Sequence, residues 1–141
     1  MVVASQPEDL GDPTMTFLRR VLFLDAATCI AAGLLMLLGA AVLSNLLGLP
    51  EMLLRYAGLS LLPFAGFLLY LGAQAEPPRA GVWLVIALNA LWVLDSLLLL
   101  MVGGLTPTML GYAFVLVQAA AVAVIAELEF MGLSRSRKVL A

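Results

Sequence analysis

The sequence predicts an all-α fold, a four-transmembrane-helix antiparallel bundle with short loops, and three observations carry that expectation. Four apolar stretches, roughly 18–43, 51–74, 80–103 and 107–131, occupy most of the 141 residues. Each exceeds the about 20 helical residues needed to cross a bilayer. The composition, 64% hydrophobic and 11% charged with a mean hydropathy of +1.12, is more apolar than a water-soluble core of this size could hide.

Taken in order, residues 1–16 form a polar lead with Pro7, Pro13 and the acids Glu8, Asp9 and Asp12, weakly ordered by composition. The pair Arg19-Arg20 before Val21-Leu22-Phe23 has the look of an export signal. The apolar run continues past Leu38, however, which is long for a cleaved signal and favours a retained first helix. Ser44 to Leu49 reads as a short interfacial turn, and Gly48-Leu49-Pro50-Glu51 opens the second span with an acid in its first turn. Pro63 removes a backbone donor inside that span and predicts a kink near Leu59 to Pro63. Glu76-Pro77-Pro78-Arg79 is the strongest breaker in the chain. Thr106-Pro107 offers a cap and a first helical residue for the fourth span. Residues 17–132 thus form the membrane domain, and 133–141 a basic tail. Such tight links make consecutive spans antiparallel neighbours.

Loop charge sets the expected orientation. With four spans both termini share a side, and Arg19, Arg20, Arg79, Arg135, Arg137 and Lys138 all fall there, leaving Arg55 alone on the other. The positive-inside rule then places both termini and the 75–79 link in the cytoplasm.

Composition also narrows the chemistry. A net charge of −2, with no basic run, gives nucleic acid nothing to bind. The single cysteine, Cys29, allows neither an internal disulfide nor a redox pair, and it reads as a small packing residue. There is no histidine, so haem of the usual ligation is not expected. No nucleophile–base pair, metal cluster or phosphate loop is visible, and the expectation is a non-enzyme without cofactors.

Helices in lipid associate through close backbone approach and hydrogen bonds, because lipid tails are as apolar as leucine. On a helical wheel Asp25, Thr28, Cys29, Ala32, Met36, Gly39 and Ala40 share one side of span 1, which predicts its inward face. A comparable small-residue stripe on span 4 is Ala113, Ala120, Ala123 and Glu127. The polar residues sort by depth into three layers. Asp25, Tyr70, Glu127 and Glu129 lie toward the termini, Asn89 and Gln118 near the middle, and Arg55, Tyr56, Asp95, Ser96 and Tyr112 toward the far side. A lone arginine or aspartate in the membrane costs about 2.5–3.5 kcal/mol on insertion scales, so Arg55 and Asp95 are expected to pair. Asn89 and Gln118 read as interhelical glue, and Trp92 as an inward aromatic wall beside them. Asp25 is expected to be held ionised by Arg19 and Arg20, or, if desolvated, to serve as a proton or cation site. Glu127 and Glu129 lie close enough to the last turn to reach the interface.

The opening Arg19, Arg20, Leu24, Asp25 and the run Leu53 to Gly58, Leu-Leu-Arg-Tyr-Ala-Gly, on four short-looped spans resemble the small bacterial membrane proteins grouped loosely as DoxX-like. Members of that group are mostly uncharacterised, and some are implied to be membrane subunits of quinone-linked oxidation systems. The resemblance implies a multi-pass protein of the bacterial inner membrane and carries over no catalytic residue. The small multidrug exporters share the span count and an acid in span 1, but their Gly/Trp pattern in span 3 is not evident here. Two functions follow. The first is an accessory or structural subunit, docked in the bilayer on a larger membrane partner or on another copy of the chain. The alternative is a small proton-coupled carrier, or a protein binding a lipophilic or cationic ligand, at Asp25 or the Arg55/Asp95 layer, in a pocket walled by Trp92, Tyr70 and Tyr112. A scaffold predicts carboxylates that are paired and dry, with a flat exposed apolar face; a carrier predicts a connected polar cavity reaching Asp25 from one side and Asp95 from the other.

Overall fold

The computed structural model describes residues 13–102 and 104–140, with side chains at 16–101 and 104–135. The lead from 1 to 12 and the side chains of Arg137 and Lys138 in the basic tail lie outside the described residues. Within them the chain forms five helices and no strand: α1 (Pro13–Leu38), α2 (Ala40–Leu47), α3 (Glu51–Ala73), α4 (Arg79–Val102) and α5 (Met109–Leu140). Four of these carry stretches long and apolar enough to cross a membrane, at Thr16–Leu38, Glu51–Ala73, Arg79–Met101 and Met109–Arg135. The protein is therefore an all-helical, multi-pass membrane protein.

The first span ends earlier than hydropathy indicates. Instead of running to 43, α1 stops at Leu38, the chain bends at Gly39, and the segment expected to be an interfacial turn is the short helix α2. Gly48 closes α2 in the left-handed region at φ 70°, where its N–H returns to the Ser44 carbonyl and a side chain would be strained. The Ser44 hydroxyl donates to the Leu49 carbonyl at 2.6 Å.

The cap of the last span is Thr108, not Thr106, and α5 begins two residues later than Pro107. The Thr108 hydroxyl accepts from the N–H of Gly111 at 3.0 Å, satisfying an orphan donor of the first turn. The same hydroxyl donates to the Leu46 carbonyl at 2.8 Å, and the Thr108 N–H donates to Leu47 at 2.9 Å. One threonine thus starts α5 and terminates α2. Helix α3 continues through Pro63, whose ring faces outward.

Packing follows a defined order around the bundle. Helix α1 lies along α3 and α4 along α5, α1 and α5 join the two pairs, and α3 and α4 scarcely touch. The α1–α3 seam is closest at Gly33 and Gly58. A Cβ on Gly58 would sit 2.7 Å from the Gly33 carbonyl oxygen and 2.8 Å from the Leu37 nitrogen, so the two backbones meet without side chains between them. The stripe expected to face inward on α1 does so: Asp25, Cys29, Met36 and Ala40 are buried, while Leu34, Leu35 and Leu38 are exposed. On α5 the expected stripe is wrong. Ala113, Ala120 and Glu127 are exposed, and the buried face runs through Gly111, Val115, Ala119, Ile125, Glu129 and Leu133.

Candidate functional site

Only four polar side chains are buried among the described residues: Asp25, Asn89, Ser96 and Glu129. Three of them meet. Asn89, ten residues into α4, points its amide nitrogen between α1 and α5, donating to Asp25 Oδ2 at 2.8 Å and to Glu129 Oε1 at 2.9 Å. Cys29, one turn beyond Asp25, directs its Sγ to Asp25 Oδ1 at 3.5 Å. The two carboxyl groups accept from the same amide nitrogen, and the second oxygen of Glu129 receives no donor. Asp25 is 1% and Glu129 0% exposed.

Among the described residues no cation stands beside this pair. Arg19, expected to hold Asp25 ionised, instead donates from Nε to the Gly72 carbonyl at 2.8 Å, satisfying an acceptor left open in the last turn of α3. Arg20 is exposed. One amide supplies both of its hydrogens to two acids, and nothing among the described residues balances their charge. A buried carboxylate requires a compensating positive charge. Two carboxyls sharing a dry site resolve this with a proton held between them or with a cation. Among the described residues no group of three or more His, Cys, Asp or Glu side chains is arranged to hold a metal ion.

Asp25 has access to space. A cavity of about 280 Å³ is lined at one end by Asp25, Thr28, Cys29 and Asn89 and at the other by Trp92, Asp95 and Gln118. Its walls are apolar, with Phe64, Leu61 and Leu88 among them. The cavity exists because α3 and α4 do not close on each other. Ser60 of α3 and Leu88 and Leu91 of α4, which border it, are exposed on the outside of the bundle. At nearly twice the roughly 150 Å³ of a cavity that holds benzene, it accommodates a ligand of about ten heavy atoms.

Several expected partnerships are replaced. Arg55 bonds Glu51, one turn earlier, at 2.6 and 3.1 Å and reaches the Leu37 carbonyl at 3.5 Å; it does not pair with Asp95. The one-turn spacing gives Arg55 a nearby carboxylate without crossing the gap between α3 and α4. Asn89 and Gln118 do not bond each other; Gln118 accepts from Trp92 Nε1 at 2.7 Å and donates to Ser96 Oγ at 3.0 Å. Trp92 does wall the cavity, but Tyr70 and Tyr112 are exposed and line neither this cavity nor the one beside it, where Phe64 and Phe114 stand instead. Glu127 is exposed. Its place beside Asp25 is taken by Glu129, which the sequence reading set at the interface. Helix α5 runs on to Leu140, so Glu129 lies about three turns before the helix end. Glu127 and Glu129 are two residues apart, so they point to opposite sides of a helix. The ladder Gly111, Val115, Gln118, Val122, Glu129 was the available signal for which one faces inward. Comparison with family models, curated proteins and solved structures gives no match.

Proposed function

We propose that this membrane protein binds a lipophilic cation, in exchange with a proton, at the Asp25–Glu129 pair, and so acts as a small proton-coupled carrier. One observation carries the reading: two carboxyl groups with no cationic partner among the described residues are bridged by a single amide, and one of them, Asp25, lines a cavity that also reaches Asp95. An acid pair serving only to hold helices together would be expected to be neutralised by an arginine, and of the two close along α1, Arg19 is engaged elsewhere and Arg20 is exposed. The apolar walls suit a hydrophobic body, and the acid pair suits an ammonium group. Binding a cation displaces the shared proton, so the site never holds two uncompensated anions.

Infrared difference spectroscopy on the purified protein in nanodiscs tests this. The expected result is the carbonyl band of a protonated carboxyl in the wild type, shifted in Asp25→Asn and in Glu129→Gln, absent when both are replaced, and bleached when a hydrophobic ammonium ion is added to the wild type. A wild type without that band, or a band indifferent to such ions, refutes the carrier reading. An accessory subunit held together by a static acid–amide cluster would then be the better account.

A further inference from the structure

Beside the cavity at the acid pair lies a second one of about 230 Å³, nearer the end of the bundle that carries α2, with Met36, Leu53, Leu54 and Phe114 in its walls. Trp92, Asp95 and Gln118 line both. Between them runs a closed hydrogen-bonded ring: Trp92 Nε1 to Gln118 Oε1 at 2.7 Å, Gln118 Nε2 to Ser96 Oγ at 3.0 Å, and Ser96 Oγ to the Trp92 carbonyl at 2.8 Å. The partition is one layer of side chains thick. Asp95 stands at its edge, exposed and with no hydrogen bond or ion pair to any described residue. It is seven residues from the end of α4, about 10 Å inside the helix. An acid at that depth without a protein partner is costly, and such residues mark ion and substrate pathways.

We propose that Asp95 is a second cation station, which holds the lipophilic ammonium ion before it passes the Trp92–Gln118–Ser96 partition to the acid pair. The proposal rests on the carrier reading and adds a route to it. Asp95 attracts a cation into the outer cavity, the apolar walls hold its hydrophobic part, and the amide and indole groups of the partition release each other to let it through. Asp95 lines both cavities and Asp25 the inner one, so a cation that has passed the wall moves between carboxylates without crossing a purely apolar stretch.

Cys29 reports arrival at the inner station, because the chain's single cysteine lines the inner cavity next to Asp25. Its modification rate is measured in nanodiscs with two methanethiosulfonate reagents of similar size, one carrying a trimethylammonium group and one neutral. The cationic-to-neutral ratio cancels the reactivity of the thiol itself. Asp95→Asn is expected to lower that ratio about tenfold or more while leaving the neutral rate and the helicity unchanged, since clefts of one sign concentrate counter-ions by such factors. Asp95→Glu is expected to restore it. Trp92→Phe, which keeps the ring but removes the N–H that closes the partition, is expected to raise both rates. A ratio unmoved by Asp95→Asn overturns the second station, and rates unmoved by Trp92→Phe overturn the partition. A wild type whose Cys29 the cationic reagent never modifies overturns both. None of these results depends on the infrared band of the acid pair, so the failure of this route and the failure of the carrier reading are separately visible.

Discussion

Gly58→Ala adds one methyl group at the tightest point of the bundle. That Cβ would stand 2.7 Å from the Gly33 carbonyl oxygen and 2.8 Å from the Leu37 nitrogen, where ordinary contact begins at 3.4 Å. Both neighbours are backbone, so no rotamer change relieves the overlap, and α1 and α3 must separate locally by about 0.7 Å, the difference between 3.4 and 2.7 Å. A gap of that size forfeits roughly a quarter to a half of the dispersion energy of each contact along the seam. Overpacking of this kind costs about 1–3 kcal/mol. Alanine also favours helix over glycine by about 1 kcal/mol, which would mask part of the loss. Gly66→Ala, in the same helix with nothing within 4 Å of its added Cβ, supplies the control, because it gains the propensity term and no overlap. The expected difference in unfolding free energy between the two variants is therefore the overpacking cost, about 1–3 kcal/mol, with Gly58→Ala the less stable. Titration of both variants from mild detergent micelles into SDS, followed by helicity, measures it. Equal stability, or a more stable Gly58→Ala, would refute the close α1–α3 crossing.

Other substitutions probe separate parts of the argument. Asn89→Leu removes the donor to both acids; at about 0.6–2 kcal/mol per membrane hydrogen bond the protein should lose about 1–4 kcal/mol by the same titration. The loss should shrink when Asp25→Leu is added, because one fewer acceptor is left bare. Thr108→Ala should cost about 1 kcal/mol through the lost cap, and Thr108→Ser should recover it; no loss would mean that the α2–α5 clasp is held elsewhere. Arg55→Ala should change stability by less than about 0.5 kcal/mol, because its partner Glu51 is one turn away and the two side chains are 43% and 44% exposed. A loss several times larger would show a partner deeper in the bundle.

Hydropathy located the four spans because a bilayer imposes a length on any helix that crosses it, and α3 and α4 start and stop within one residue of the expected ends. The inner face of α1 was legible for a similar reason: an acid, a thiol and small residues recur every three or four positions. Three features were not. Gly39 interrupts an unbroken apolar run, and hydropathy does not register a bend. Glu129 falls near the end of the apolar window although the helix continues through polar residues to Leu140, so its depth was underestimated by counting from the window's edge. Arg19 was assigned to Asp25 by proximity along the chain and Arg55 to Asp95 by depth, whereas in the fold Arg19 reaches a carbonyl at the end of α3 and Arg55 reaches Glu51 and a carbonyl at the end of α1. Those acceptors appear only once the helices are side by side. Trp92 and Asp95 were recognised as residues of interest, but their common cavity depends on the gap between α3 and α4, which no property of either helix alone reveals.

That gap divides the molecule into two helical hairpins, residues up to 74 and residues from 79 onward, joined by a short link and by the meeting of α1 with α5. Asp25 and Cys29 belong to the first hairpin, Asn89 and Glu129 to the second. The acid cluster is therefore completed only where the two hairpins meet, and the bond from Asn89 to Asp25 crosses that junction. A chain cut between Glu76 and Pro77 and expressed as two pieces should reassemble around that cluster, and Asn89→Leu should weaken the reunion of the pieces more than the integrity of either one.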